Sequence, residues 1–365
     1  MMPMRAAIAV EPGAELVLQD CELDSPLPHE IVVQIDACGI CHTDLVARDG
    51  GLPLPMPVVL GHEGVGTVRD AGSEVQDLAA GDRVLLSFGH CGTCPRCQAQ
   101  LPAYCQHAWA HNLRCSRADG TSALRWRGSP LAGYFFGQSS FATHCVVDAR
   151  QAVRLDPDLP AHLMAPLACG VQTGMGAVMN VLRPLSSVAV AVSGCGTVGL
   201  SAIMAARLSG CRAIAAVDVL PARLELALQL GATHACLSSE TGLTRTLRKL
   251  DIRHALDTTG ASKVIEGILD ILQPQGTVVC AGLGHGEPLR VHPTMLATTG
   301  KSLRGTVEGD AEPSRFVPRM VQWYREGRLP LERLVRVYPF EQINEAIDDM
   351  RAGRAVKPVL TWSPL

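Results

Sequence analysis

From about residue 170 to 300 the chain alternates short apolar, β-branched runs with segments of helical character. Ser187 to Val192 reads SVAVAV, a nearly continuous apolar run that predicts a buried strand. Thr197 to Leu208 predicts a helix, Ala213 to Val219 a second strand and Pro221 to Leu230 a second helix. In that last segment Leu224, Leu226, Leu228 and Leu230 alternate as in a strand, but Pro221 suits a first helical turn and Gly231 a helix stop, so the helix is preferred. A strand around Leu256, a helix at about Ser262 to Leu272 and a strand over Thr277 to Ala281 extend the alternation. Repeated β-α units of this kind predict an α/β fold whose parallel sheet is covered on both faces. The first 160 residues differ: short apolar runs broken by Gly and Pro, as in DGGLPLP, predict an antiparallel or irregular β-rich domain. After about residue 307 short mixed elements return, and VKPVL near the end reads as a closing strand that rejoins the first domain.

Composition narrows the class. With 365 residues and 47% hydrophobic content the chain can bury a large core and is expected to form two domains, which excludes disordered and fibrous classes. Its 32 basic and 35 acidic residues are spread along the chain, leaving a net charge of -3 and no footprint for nucleic acid or an anionic membrane. Small molecules are the expected partners. The start, MMPMRAAIAVEPGAELVL, lacks the pattern of a signal peptide, and no run of about 18 apolar residues marks a membrane span, so a cytoplasmic protein is expected. In a reducing compartment fourteen cysteines point to metal ligation before disulfides. Cys21, Cys145, Cys211, Cys236 and Cys280 sit singly in apolar surroundings and read as small buried hydrophobes.

Directly after SVAVAV, Gly194, Gly196 and Gly199 form G-C-G-T-V-G, with Thr197 and Val198 opening the next helix. Glycines there allow a tight turn and close backbone approach, and a helix N-terminus offers N–H groups to a pyrophosphate. Asp218 ends the following strand, nineteen residues after Gly199, where a carboxylate accepts hydrogen bonds from the adenosine ribose and repels a 2′-phosphate. NAD is therefore expected over NADP. A second glycine cluster, Gly282-Leu283-Gly284-His285-Gly286, follows the Thr277 strand and brings Leu283 toward the nicotinamide or substrate.

Two sets of metal-ligating residues stand out. Cys91, Cys94, Cys97 and Cys105 are spaced C-x2-C-x2-C-x7-C, and four thiolates suit a closed, structural zinc. An iron–sulfur cluster and a nucleic-acid-binding zinc module are rivals, disfavoured by the missing cluster pattern and by the acidic balance. The second set is dispersed: Cys41 in CGICHTD, His62 in LGHEGVG and Cys169 in LACGVQTG, which together supply two thiolates and one imidazole and leave a zinc position open.

The ordered set GICHTD, GHEGVG, CGTCPRC with its fourth cysteine, LACGVQTG, GCGTVG and Asp218 resembles the zinc-dependent medium-chain alcohol dehydrogenases over nearly the whole chain. The resemblance implies a GroES-like catalytic domain at 1–160, an NAD-binding Rossmann domain at 161–307 and a return to the catalytic domain at 308–365. It implies Cys41, His62 and Cys169 as ligands of a catalytic zinc, with Asp44 and Glu63 as carboxylates behind them. Thr43 matches the residue that takes the alcohol proton. His42 and Lys357 match basic residues at the cofactor pyrophosphate, Thr173 a threonine near the nicotinamide and Arg223 a basic residue near the adenosine ribose. Implied with these are two zinc ions per chain, NAD, a reversible alcohol-to-aldehyde oxidation, and a homodimer or homotetramer. Where many relatives place a histidine that ends the proton relay, this chain has Val46.

The segments LLSFGHCGTC, LPAYC, GYFFGQSSFATH and LRGTVEGDAEPSRFVP are similar to the aryl-alcohol (benzyl-alcohol) branch of that family, which implies a primary aromatic or allylic alcohol as substrate. An apolar cleft walled by Val46, Phe88 and Leu283 is compatible with it. Two alternatives stay open at this point: a thiol-adduct-dependent formaldehyde dehydrogenase, marked by dependence on an added thiol, and a non-catalytic zinc- or cofactor-binding protein, marked by tightly held metal without turnover.

Overall fold

A strand that is apolar on both faces belongs in the middle of a sheet, and Ala189–Ser193, buried at every position, occupies that place. The computed structural model, which describes residues 1–284 and 286–362, pairs it in parallel with Ala213–Asp218 on one side and Ile252–Asp257 on the other. Among the described residues the full order is His234–Leu237, Ala213–Asp218, Ala189–Ser193, Ile252–Asp257, Thr277–Cys280 and Ser302–Gly305, all parallel. Counted along the chain this is 3-2-1-4-5-6, the doubly wound order whose central loops border a ligand crevice. The unit is built from Gly170–Ala311 and Glu326–Arg333.

Its helices fall where the pattern predicts them. Thr197–Leu208 and Pro221–Leu230 have the expected bounds, and in the second Leu224, Ala227 and Leu230 are buried while Leu228 is 47% exposed. Burial therefore follows helical spacing, not the alternation of leucines. The strand predicted at Ser187 is shifted to Ala189–Ser193, and the helix and strand after Leu256 run Ser262–Ile271 and Thr277–Cys280. Three elements carry no sequence signal: His234–Leu237, Leu243–Arg248 and Ser302–Gly305. Both of these strands lie at edges of the sheet, and all four residues of Ser302–Gly305 are exposed, so burial imposes little apolar pattern on them.

The other unit is built from Met1–Cys169, Glu312–Arg325 and the chain from Leu334 on. One of its sheets runs Val58–Val59, Met2–Ala9, Val17–Leu23, Leu124–Trp126 and Ser129–Leu131. The larger sheet is centred on Glu30–Gly39, which pairs antiparallel with Gly64–Ala71, with His144–Asp148 and with the C-terminal strand Lys357–Thr361. That last pairing sets Val359 opposite Gly39 and Leu360 opposite Cys38, so the VKPVL segment does return to the start of the chain. Phe135, Phe141, Phe340, Ile31 and Ile35 are among the side chains that fill its core. Among the described residues no helix is long and apolar enough to cross a membrane.

Candidate metal centres and dinucleotide site

Cys41 caps the helix His42–Arg48, His62 lies between the strands Val58–Val59 and Gly64–Ala71, and Cys169 follows the turn Ala165–Ala168. The fold collapses these distant positions: ligand atoms of Cys41, His62, Glu63 and Cys169 all lie within 4.8 Å of one another. Asp44, only 2% exposed, fastens the first two segments together. Its carboxylate accepts the Cys41 N–H at 2.8 Å and the Gly61 N–H at 3.1 Å, and faces His62 Nδ1 at 2.9 Å. A carboxylate at Nδ1 holds a proton there, so Nε2 is the ring nitrogen that would serve as a metal donor once its own proton is displaced. Nε2 is buried and has no hydrogen-bond partner among the described residues, a costly state that a metal ion relieves.

Charge in the cluster is arranged for a cation. Cys41 is held well below the usual thiol range, first by a hydrogen bond from Cys169 and, against the effect of burial, by His62. Burial pushes the His62 imidazolium down, but Asp44 and then Cys41 outweigh it and raise it well above its ordinary value. Two thiolates and an imidazole in this geometry fit zinc.

Glu63 stands in the same cluster, but its carboxylate is engaged. Lys357 Nζ donates to its two oxygens at 2.8 and 2.9 Å and to the Ile40 carbonyl at 2.9 Å. Burial lifts the Glu63 carboxyl to about 7 against the pull of Lys357. Burial also opposes the charge on Lys357, yet Glu63 and Cys41 hold its ammonium raised, so the proton stays on the lysine. Gly39 makes room for this pair: a Cβ there would sit 2.0 Å from Glu63 Oε2. Lys357, expected at a cofactor pyrophosphate, is 1% exposed and stands as the counter-charge of Glu63, because the closing strand pairs with Glu30–Gly39 and brings it there. With Glu63 so engaged, Cys41, His62 and Cys169 remain as donors and a fourth position stays open.

On the helix His42–Arg48, Thr43 is half-buried with its Oγ1 3.7 Å from Cys41 Sγ, His42 is exposed, and Val46 is half-buried beside Gly51. Phe88 is 4% exposed and follows Ser87, whose hydroxyl donates to the Ala168 carbonyl at 3.0 Å. Two rings with no role assigned from the sequence flank His62. Phe136 stacks on the imidazole with centroids 4.5 Å apart and planes at 25°, and Phe135 meets it edge-on at 5.6 Å. Their signal was the aromatic pair in GYFFGQSSF, read only for its likeness to a branch of the family.

The second cluster is local. Cys91, Cys94, Cys97 and Cys105 bring their sulfurs to 3.9 Å (Cys91–Cys97), 3.6 Å (Cys94–Cys97) and 4.0 Å (Cys94–Cys105). A tetrahedron with zinc–sulfur arms of about 2.3 Å has edges of about 3.8 Å, so these thiols already stand at the corners of a zinc site. Backbone N–H groups support the charge: Cys94 donates to Cys91 Sγ at 3.3 Å, His107 to Cys105 Sγ at 3.3 Å and Cys91 to Cys105 Sγ at 3.4 Å. Burial pushes the Cys91 thiol up, but hydrogen bonds from Thr93 and Cys94 bring it to about 5, while burial and its neighbour Cys94 push Cys97 to about 12. Four sulfur donors leave no open position.

In the parallel-sheet unit Gly194, at φ 85°, turns the chain at the end of the central strand, and a Cβ on Gly199 would meet the Gly194 carbonyl at 1.8 Å. A Cβ on Gly196 would meet nothing, which leaves the face of the helix N-terminus at Thr197 and Val198 open to a ligand. Asp218 braces this loop, accepting the Cys195 N–H at 2.6 Å through Oδ2 and the Leu220 N–H at 2.8 Å through Oδ1. Arg223 is 9% exposed, and burial lowers its pKa despite Asp218. Thr173 is equally buried and its hydroxyl lies 3.4 Å from Glu308, a residue the sequence reading did not single out. Leu283 is 51% exposed, and its carbonyl would stand 2.6 Å from a Cβ on Gly260, so the loops that follow two neighbouring strands touch. His285 of the same glycine cluster lies outside the described residues.

Residues 27–157 match the family model described as an alcohol dehydrogenase GroES-like domain, and residues 197–326 match that described as a zinc-binding dehydrogenase. The chain is similar to a geraniol dehydrogenase of Castellaniella defragrans, with 41% identity over 98% of this chain and 97% of the relative. Among solved structures it is similar to an alcohol dehydrogenase zinc-binding domain protein from Burkholderia ambifaria, with 41% identity, a TM-score of 0.96 and 100% of both chains covered. It is also similar to a benzyl alcohol dehydrogenase from Acinetobacter calcoaceticus, with 36% identity, a TM-score of 0.96 and 100% of both chains covered.

Proposed function

Within the zinc-dependent medium-chain alcohol dehydrogenase family, to which this chain belongs, we propose that it oxidises a primary aromatic or allylic alcohol reversibly to the aldehyde, with hydride transfer to NAD. The observation that carries this reading is the three-donor centre of Cys41, His62 and Cys169, with the Thr43 hydroxyl beside it. When bound, zinc supplies a Lewis acid that acidifies the alcohol, and NAD supplies the hydride acceptor.

The chain's own residues do the rest. Asp44 fixes the His62 ring and its tautomer, and the Lys357–Glu63 pair sets a counter-charge beneath the thiolates. Thr43 Oγ1 takes the alcohol proton. Val46, in the place where many relatives carry a histidine, offers no onward acceptor for that proton. The Gly194–Gly199 loop with Thr197 and Val198 receives the pyrophosphate, and Asp218 receives the adenosine ribose. His42, Thr173, Arg223 and Leu283 complete the assignment around the cofactor. Asp218 favours NAD over NADP; Asp218→Ala should narrow the difference in kcat/KM between them, and equal efficiencies in the unaltered enzyme would contradict the assignment.

Three things support the substrate class: the geraniol and benzyl alcohol dehydrogenases among the relatives, the apolar Val46, and the buried Phe88, which follows the Ser87 bonded to Ala168. Conjugation in the product aldehyde also eases oxidation. Each well-buried apolar group contributes about 1–3 kcal/mol, so kcat/KM for benzyl alcohol or geraniol should exceed that for ethanol by at least about tenfold. Comparable values would remove the substrate assignment and leave the family intact. Fourteen cysteines gathered for metal ligation and packing, without the spacing of a disulfide scaffold, favour the cytoplasm. The exposed edge strand Ser302–Gly305, with Leu303 38% exposed, favours association with further copies of the chain as a dimer or tetramer.

A further inference from the structure

We propose that Phe136 is a positioning residue for the catalytic metal: its ring, presented by a strained backbone, fixes the plane of the His62 imidazole. The inference rests on the zinc reading of Cys41, His62 and Cys169. A hydrogen bond from Nδ1 to Asp44 anchors one edge of the imidazole, but the ring can still tilt about that contact. Tilting would swing His62 Nε2 away from the Cys41 and Cys169 sulfurs with which it would hold the metal. A flat face stacked at 4.5 Å and 25° blocks the tilt, and Phe135, edge-on at 5.6 Å and 82°, closes the other direction.

The backbone shows that this placement is imposed. Tyr134, Phe136 and Ser139 have φ of 61°, 51° and 61°, a left-handed region that bulky side chains avoid. Such a conformation persists only where its surroundings over-determine it, and here they do. Gln151 Nε2 donates to the Phe136 carbonyl at 3.0 Å, and Ser139 Oγ accepts the Phe135 N–H at 2.9 Å. Gln138 reaches from the same loop to the metal-ligand segment: its Nε2 donates to the His62 carbonyl at 3.0 Å and its Oε1 accepts the Gly64 N–H at 3.1 Å. One loop therefore grips the His62 backbone with Gln138 and its ring with Phe136. Aliphatic packing alone would need neither a left-handed aromatic residue nor a near-parallel ring.

The test compares the zinc-loaded enzyme with Phe136→Leu, Phe136→Tyr and Phe136→Asn. Asparagine tolerates the left-handed region, so that variant keeps the loop and removes only the ring. Zinc release from the exchangeable site to a chelator is timed, and the visible spectrum of cobalt in that site is recorded. Phe136→Asn and Phe136→Leu should release zinc about 10- to 100-fold faster, the range for lost partners of a metal-binding histidine, and shift the cobalt bands. Their kcat should fall alike for aromatic and small alcohols, while Phe136→Tyr stays close to the parent. If Phe136→Leu does not fold, Phe136→Asn decides. Unchanged zinc release and cobalt spectra, with only KM for aromatic alcohols raised, would overturn the proposal and leave Phe136 as a wall of the substrate cleft. An unaltered enzyme with no exchangeable zinc would overturn the metal reading itself.

Discussion

The two metal-ligating clusters lie in the same unit and differ in how the chain builds them. Cys91 to Cys105 span fifteen residues, and local turns with N–H···S bonds suffice to set four sulfurs at zinc spacing. Cys41, His62 and Cys169 come from three separate segments, and it takes the sheet, the Asp44 carboxylate, the Phe135 and Phe136 rings and a buried ion pair from the far end of the chain to assemble them. A closed local site is a clip on the fold. An open dispersed site is a place for chemistry, and the fold must support it from several directions.

That contrast can be broken by mutation. Cys169→Ser should remove the Lewis acid's support, worth several kcal/mol in the transition state, and so lower kcat/KM on the order of 10³-fold or more while the thermal midpoint stays near that of the parent. A variant with near-normal turnover would place the chemistry elsewhere. Lys357→Met strands the fully buried Glu63 carboxylate without its partner, and loss of one member of a buried pair destabilises by about 3–5 kcal/mol. Denaturant unfolding reads this directly; the double change Lys357→Met with Glu63→Gln should recover most of the loss, and a failure to recover would deny the coupling. Cys97→Ala opens the local site and should lower the thermal midpoint by about 5–10 °C with kcat/KM reduced only severalfold. If instead activity vanishes with the midpoint unchanged, the roles of the two clusters are reversed.

How much of this was legible in the sequence follows the same division. Four cysteines in one short segment announce themselves, and so does a glycine loop between an apolar strand and a helix, with Asp218 at the expected distance. The dispersed donors were legible only as members of an ordered set of motifs, since neither Cys41 nor His62 carries a signal alone. Lys357 was recognised as a basic residue, but whether its ammonium meets a cofactor or Glu63 depends on the pairing of Lys357–Thr361 with Glu30–Gly39. The Phe136 ring face likewise depends on backbone angles that no apolar pattern encodes. Edge strands such as Ser302–Gly305 went unseen because exposure leaves them without periodicity.

One cluster is assigned zinc for catalysis and the other zinc for the fold. Stepwise chelation of the purified enzyme, with zinc per chain, activity and thermal midpoint followed on the same samples, tests this assignment most directly. Two zinc ions per chain are expected at the outset, with loss of activity in proportion to the first ion removed while the midpoint is little changed, and collapse of the midpoint with the second. A single zinc per chain, or activity that persists until the midpoint falls, would contradict it.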